Sequence, residues 1–192
     1  MKPFTWKEAF KDAHQAAKAG NPSSQTFVGY CYDVGRGVRR DIGMAAWWYR
    51  KAAKNGNPAG IFNLALMNDR GQGMPRNAVQ AVHLYRKAAL RGDLQSQANL
   101  AVMLLDGDGV KKDLAAGIAW LRRAARRGDS KAQYNLGLAY VTGEGVRKSG
   151  AHSNLWLSKA AKNGHPRALR LLKSLRKSMH RERITQRKAT RA

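Results

Sequence analysis

The chain has 192 residues, of which 43% are hydrophobic, so its length and composition suit one folded domain or one short repeat array rather than a disordered protein. Its 36 Lys and Arg residues stand against 12 Asp and Glu residues, and the resulting formal net charge of +24 predicts an anionic partner. The only cysteine, Cys31, excludes an intramolecular disulfide and a zinc site built on several cysteines.

The sequence also bears on where the protein resides. No apolar run approaches the ~20 residues that a membrane-spanning helix requires. The charged residues Lys7, Glu8, Lys11 and Asp12 lie where a secretory signal peptide would be apolar. We therefore expect a cytoplasmic protein without a membrane span.

Residues 1–20 are predicted to form an N-terminal capping helix. Trp6, Phe10, Ala13 and Ala17 recur at helical spacing and resemble the second helix of a helix pair whose first helix is missing. Such a segment is expected to cover the open end of a stack of repeats.

Four units of 36 residues follow and align without a gap: 21–56 (repeat 1), 57–92 (repeat 2), 93–128 (repeat 3) and 129–164 (repeat 4). Each unit opens with a residue that caps helix N-termini, namely Asn21, Asn57, Asp93 or Asp129. A Gly-x-Gly turn divides each unit into two predicted helices, because glycine tolerates the positive φ angles that end a helix. The glycine pairs are Gly35 and Gly37, Gly71 and Gly73, Gly107 and Gly109, and Gly143 and Gly145.

The same register predicts the core. On the first helix a large apolar residue precedes a small one: Val28-Gly29, Leu64-Ala65, Leu100-Ala101 and Leu136-Gly137. The predicted second helices begin after the candidate caps Asp41, Asn77, Asp113 and Ser149 and end in a basic residue, two alanines and a terminal glycine. Within them one position, expected to be core, holds Trp48, Leu84, Trp120 and Trp156.

Residues 165–192 are predicted to be a basic C-terminal capping helix and tail. The helix is expected to run from His165 to about Arg183, with an apolar stripe of Leu169, Leu172, Leu175 and Met179. Ten Lys and Arg residues stand against the single acid Glu182 in this segment.

The motifs of repeat 4 resemble the Sel1-like repeat (SLR) family, a relative of the tetratricopeptide repeat. The resemblance rests on residues 132–137 (AQYNLG), Tyr140, residues 143–146 (GEGV) and the later residues 159–161 (KAA) with Gly164. It implies an all-α, right-handed superhelical solenoid of antiparallel helix pairs that serves as an adaptor. Some members are rich in cysteine and have a disulfide in each repeat, and this chain lacks those cysteine pairs.

By analogy with tetratricopeptide arrays, we expect the first helices to line a concave binding surface. Recurring asparagines could hold an extended peptide, because each amide offers a hydrogen-bond donor and an acceptor. The alternative is that these asparagines belong to the repeat consensus and bond to a neighbouring helix. The predicted surface comprises Tyr30, Phe62, Asn63, Leu66, Asn99, Val102, Tyr134, Asn135 and Leu138.

Basic residues are predicted to bind an anionic partner, with an acidic protein or peptide as the first choice and RNA or DNA as the alternative. They follow the Gly-x-Gly turns and fill the tail. The predicted anion-binding residues are Arg39, Arg40, Arg76, Lys111, Lys112, Arg147, Lys148, Arg176, Lys177, Arg181, Arg183, Arg187 and Lys188. The oligomeric state is left open, with a monomer favoured.

Catalysis is not predicted, and neither is a cofactor or a metal site. The five histidines occupy unrelated repeat positions, and Asp106 and Asp108 lie in a repeat turn without the ligand spacing of a calcium loop. Cys31 shares its position with Met67 and Met103 and is expected in the core. The sequence thus favours a non-enzymatic scaffold.

Overall fold

The computed structural model describes residues 5–175 and 177, and all regular secondary structure within them is helical. It divides into two compact units, unit 1 (Met1–Asp113) and unit 2 (Leu114–Ala192). Unit 1 contains α1 (Trp6–Lys18), α2 (Pro22–Val34), α3 (Ile42–Lys54), α4 (Pro58–Arg70), α5 (Ala78–Leu90) and α6 (Leu94–Asp106). Unit 2 contains α7 (Leu114–Arg126), α8 (Ser130–Thr142), α9 (Gly150–Lys162) and the helical residues 168–175. Helices that are consecutive within a unit pack against each other, as expected for stacked helix pairs.

The helix ends follow the predicted caps and glycines. The side chains of Asn21, Asn57, Asp93 and Asp129 each accept a hydrogen bond from the backbone N–H three residues later, and Asp41, Asn77 and Ser149 do the same at second helices. All eight glycines of the Gly-x-Gly turns have positive φ, between +67° and +84°. These local signals therefore fix where each helix starts and stops.

The large-small pairs of the first helices are buried as predicted. Val28, Leu64, Leu100 and Leu136 are at most 6% exposed. The small neighbour lets the second helix of the same repeat approach, since a Cβ atom added at Gly29 would lie 2.7 Å from the Tyr49 ring. A Cβ atom added at Gly137 would lie 2.7 Å from Leu157 Cγ.

Buried glutamines join successive repeats, a feature that the sequence analysis did not predict. The Nε2 groups of Gln25, Gln97 and Gln133 donate to the carbonyls of Ala17, Ala89 and Ala125 over 3.1, 3.1 and 3.0 Å. Each accepting carbonyl lies near the end of the preceding second helix, where it also accepts a hydrogen bond from the backbone N–H of the terminal glycine. The glutamines thus satisfy buried helix ends between repeats.

The prediction that Trp120 and Trp156 are core residues was wrong. Trp48 is 3% exposed, but Trp120 and Trp156 are only half-buried and lie under the basic groups of Arg123 and Lys159. The fully buried position is the next one along the second helix, where Tyr49, Tyr85, Leu121 and Leu157 are at most 2% exposed. The tryptophans instead pack their rings at the edge of the core beneath a cation.

The ends of the chain are described in part. The helix α1 packs on α2, with Phe10, Ala13 and Ala17 against the cluster of Val28 and Trp48. At the other end a turn occupies residues 166–167, so the closing helix begins later than predicted.

The apolar stripe of the closing helix also differs from the prediction. Ala168 and Leu172 are buried, whereas Leu169 is 54% exposed. Met179 and the predicted continuation to Arg183 lie outside the described residues.

Candidate functional site

The predicted concave residues of unit 1 lie on the first helices α2, α4 and α6. All six are half-buried, which leaves part of each side chain accessible: Tyr30, Phe62, Asn63, Leu66, Asn99 and Val102. Tyr30 also lies 5.9 Å from the guanidinium of Arg36, and the Phe62 ring tilts against Tyr85 at 6.1 Å between centroids.

Asn99 favours the consensus explanation of the asparagine series. Its side chain hydrogen-bonds with the hydroxyl of Tyr85 on the neighbouring helix α5, and that hydroxyl also donates to Asp69 Oδ2 over 3.3 Å. Burial of Tyr85, together with the charge of Asp69, raises the pKa of this hydroxyl above its ordinary value. Asn99 therefore has a structural role that does not require a bound peptide.

The predicted concave residues of unit 2 lie on α8. Asn135 and Tyr134 are half-buried, and Leu138 is 37% exposed. The Tyr134 ring stacks on His165 with 4.2 Å between centroids, and burial lowers the pKa of that histidine. His165, in the segment after α9, thus packs against Tyr134 at one edge of this predicted surface.

Two of the predicted anion-binding arginines have structural roles. The Nε groups of Arg40 and Arg76 donate to the carbonyls of Asp33 and Asp69 near the ends of their first helices, both over 2.8 Å. Arg76 also forms ion pairs with Asp69 and Asp108, so its charge is largely compensated within unit 1. These residues stabilise the turn between the helices of a repeat.

The other predicted basic residues are exposed where the structure describes them: Arg39, Lys111, Lys112, Arg147, Lys148 and Lys177. Five predicted tail residues lie outside the described part of the chain: Arg176, Arg181, Arg183, Arg187 and Lys188. Two of the predicted anion-binding residues, Arg147 and Lys148, lie next to each other in unit 2.

A further group of basic residues lies at the end of α7. Arg122, Arg123, Arg126 and Arg127 are all exposed and, with Ala119, line a shallow cavity of about 580 Å³. The spacing places Arg126 and Arg127 one helical turn after Arg122 and Arg123, and like charges at this spacing repel by roughly 0.2–0.5 kcal/mol per pair. The dipole at the C-terminal end of α7 offsets part of this repulsion, and the clustered positive charge is a candidate for binding an anion.

Arg122 connects this cluster to a second cavity of about 540 Å³, which we call the α9 cavity. It is lined by Arg122, Tyr140, Gly145, Val146, Arg147, Lys148, Ser149 and His152. Arg122, Arg123, Arg126, Arg127, Arg147 and Lys148 together are termed the basic surface of unit 2. Arg147 and Lys148 were predicted from the sequence. The contribution of Arg122 was not, although its repeat position is also basic at Arg50 and Arg86.

No described helix is both long enough and apolar enough to cross a membrane. Within the same residues no group of three or more His, Cys, Asp and Glu side chains could hold a metal ion.

The family model described as Sel1 repeat matches the chain four times, at residues 22–57, 58–93, 94–129 and 130–165. The chain belongs to the Sel1 repeat family. Proteins of the Sel1 repeat family are generally scaffolds for protein interaction and typically have no enzymatic activity.

Solved structures of Sel1 repeat proteins resemble this chain closely. A protective antigen with an SLR fold from uropathogenic Escherichia coli is 38% identical, with a TM-score of 0.77 over 81% of this chain and 33% of the antigen. A Sel1 repeat protein from Oxalobacter formigenes is 31% identical, with a TM-score of 0.77 over 90% of this chain and 50% of that protein. The chain therefore spans a third to a half of the length of these two relatives.

An immunity protein of Pseudomonas aeruginosa shares the fold alone. It is 21% identical, with a TM-score of 0.59 over 87% of this chain and 62% of that protein. A comparison with curated proteins finds no match.

Proposed function

We propose that this Sel1 repeat protein is a non-enzymatic scaffold that binds an acidic protein or peptide through the basic surface of unit 2. The observation that supports this most directly is the gathering of four exposed arginines around one shallow cavity at the end of α7. Its link through Arg122 to Arg147 and Lys148 extends the positive charge across the α8–α9 turn. The single cysteine is buried and needs no oxidising compartment, which fits the cytoplasm.

An acidic partner would relieve the repulsion that this clustering creates. Exposed like charges raise the free energy of the free protein, and a bound anion removes that cost while steering association. Arginine suits the role because its planar guanidinium binds carboxylates in a bidentate manner. Binding of this kind is expected to weaken as salt is added.

The half-buried residues of the first helices are the second element of the proposal. Phe62, Leu66 and Val102 offer apolar contacts, and Asn63 and Asn135 offer amides, which suits a peptide better than a small polar metabolite. Alanine replacement of Asn99 and Asn135 that left partner affinity unchanged would argue against peptide capture by the asparagine series.

Nucleic acid is the second candidate partner, and the charge of residues 165–192 favours it. Their ten basic residues could neutralise phosphates without reading a sequence. Aromatic side chains for stacking on bases are not interleaved with these charges, so protein remains our first choice.

Fluorescence anisotropy with two labelled probes separates these candidates. One probe is a short oligoglutamate peptide, and the other is single-stranded oligouridylate of the same length, both at physiological salt. We expect the peptide to bind and the double variant Arg122→Glu/Arg126→Glu to bind it at least about tenfold more weakly, since two reversed charges together oppose an anion by more than about 1.4 kcal/mol.

The control variant is Arg50→Glu/Lys54→Glu. It changes the same two repeat positions in repeat 1 and the same net charge, and both residues are exposed. If the two variants lose peptide affinity equally, only the total charge of the protein matters, and this result would contradict a defined binding surface in unit 2. Tight binding of the oligouridylate without binding of the peptide would refute an acidic protein as the partner and support nucleic acid instead.

A further inference from the structure

The α9 cavity lies where the side of α7, the α8–α9 turn and the start of α9 meet. We propose that it binds a phosphate monoester carried by the acidic partner, an inference that rests on the proposed function and names the group recognised. Three cationic side chains, Arg122, Arg147 and Lys148, line this cavity, and none of its described lining residues is acidic.

The hydroxyl of Tyr140, which lines the cavity, keeps its proton for a further hydrogen bond. Arg122 Nη2 donates to Tyr140 Oη over 3.5 Å, which uses a lone pair of that oxygen and leaves its proton available for an acceptor. The Tyr140 ring stacks on the His152 imidazole with 4.9 Å between centroids and 21° between the planes. The stack holds two of the lining side chains side by side.

Ser149 orients His152 in a similar way. Its Oγ accepts the N-capping bond from the His152 backbone N–H over 3.3 Å, and the same oxygen lies 2.9 Å from His152 Nδ1. In the tautomer in which Ser149 Oγ donates to Nδ1, the imidazole carries its hydrogen on Nε2. His152 then supplies a further donor to the cavity beside the three cations.

The equivalent cavity in repeat 1 differs in charge from that of repeat 4. It is smaller, about 370 Å³, and is lined by Tyr32, Val38, Arg39, Arg40 and Asp41. There the N-capping position that Ser149 fills in repeat 4 holds an aspartate, whose carboxylate offsets the neighbouring arginines. In repeat 4 the cap is kept by a neutral hydroxyl, and the positive charge is not offset at this position.

This donor set fits a phosphate monoester better than a carboxylate. The monoester carries close to two negative charges at neutral pH and three acceptor oxygens, which match three cations and two further donors. A carboxylate carries one charge and two oxygens. The N-terminus of α9, which Ser149 caps, adds a favourable dipole for an anion.

The experiment uses three labelled acidic peptides of one sequence, with serine, phosphoserine or glutamate at the centre, and inorganic phosphate as a competitor. The full chain is expected to bind the phosphoserine peptide at least about tenfold more tightly than the serine peptide, a difference in affinity that we call the phosphoserine gain. Inorganic phosphate is expected to compete with the phosphoserine peptide and to remove this gain. Ser149→Asp is expected to abolish the gain, because it restores the acid of repeat 1 while still capping α9.

The matched control is Asn77→Asp, which adds the same charge at the same repeat position in unit 1 and also keeps its cap. It is expected to retain the phosphoserine gain, and circular dichroism of both variants checks that each is folded. Equal binding of the serine and phosphoserine peptides would overturn the inference and leave the acidic-partner proposal intact, whereas failure of all three peptides would refute that proposal itself.

Two further outcomes identify the source of the phosphate. If inorganic phosphate alone binds as tightly as the phosphoserine peptide, and Ser149→Asp abolishes both, the cavity is a phosphate site that gains nothing from the peptide. If Ser149→Asp instead weakens oligouridylate and leaves the phosphoserine gain unchanged, the assignment to a monoester is overturned.

Discussion

Replacement of Gly109 by alanine tests how closely successive repeats of unit 1 pack. Gly109 is the second glycine of the third Gly-x-Gly turn and has a φ of +68°. A Cβ atom added there would lie 2.4 Å from the carbonyl carbon of Ala78 and 2.5 Å from its oxygen. Ala78 is the first residue of α5, so the obstacle is backbone that cannot rotate away.

Two costs contribute to the expected loss of stability. A left-handed conformation costs an alanine roughly 1–2 kcal/mol relative to glycine, and overpacking typically costs about 1–3 kcal/mol more. We therefore expect Gly109→Ala to lower the free energy of unfolding by about 2–5 kcal/mol. Gly56 supplies the control, because its φ is +78° but an added Cβ atom would meet nothing within 4 Å. Gly56→Ala should lose only the conformational cost of about 1–2 kcal/mol.

Urea titration followed by far-UV circular dichroism measures both losses under identical conditions. The difference between the two variants isolates the contact between the turn and α5. If the two losses agree to within about 0.5 kcal/mol, the turn does not depend on close packing against the preceding repeat, and the reasoning is refuted.

Four further predictions follow. Asn57→Ala removes an Oδ1 atom that accepts from the Gly60 N–H and from Thr26 Oγ1 over 2.9 and 3.0 Å, and should lower the free energy of unfolding in urea by about 1–2 kcal/mol. Gln133→Leu removes the side-chain bond to the Ala125 carbonyl and the bond that Gln133 Oε1 accepts from Asn163 Nδ2, and should also cost about 1–2 kcal/mol, so an unchanged melting temperature would contradict this role. Burial, and then the charge of Arg167, lower the pKa of His165 in the folded state, so the stability it contributes is present above the unfolded pKa of about 6.5 and is lost as the pH falls through the lower folded pKa. His165→Phe, which preserves a ring against Tyr134, should therefore show a smaller drop in melting temperature on acidification than the unsubstituted chain, and an equal drop would count against it. Burial raises the pKa of the fully buried Cys31 thiol, so it should react with a thiol reagent at least about a hundredfold more slowly in the native chain than in urea.

Sequence alone sufficed for the features that depend on local backbone chemistry. Caps such as Asn21 and Asp129, and glycines such as Gly35, answer requirements that lie within a few residues, and recurrence at 36 residues makes each one recognisable. The family resemblance rested on the same signals and was confirmed. The all-helical fold and the limits of the helices within the repeats could therefore be predicted before any packing was known.

Only the tertiary structure decided which of two adjacent apolar residues faces the core. Trp120 precedes Leu121 and Ala168 precedes Leu169, and neighbours on a helix differ by only about 100° in direction, so the periodic pattern could not choose between them. The packing of the neighbouring helix selects Leu121 and Ala168.

The α9 cavity also depends on tertiary structure, because it collects Arg122, Tyr140 and His152 from three helices. The sequence shows the charge of those helices but not that they meet around one space. Local chemistry thus determines where the helices of each repeat begin and end. The approach of one helix to the next determines which side chains line the cavity.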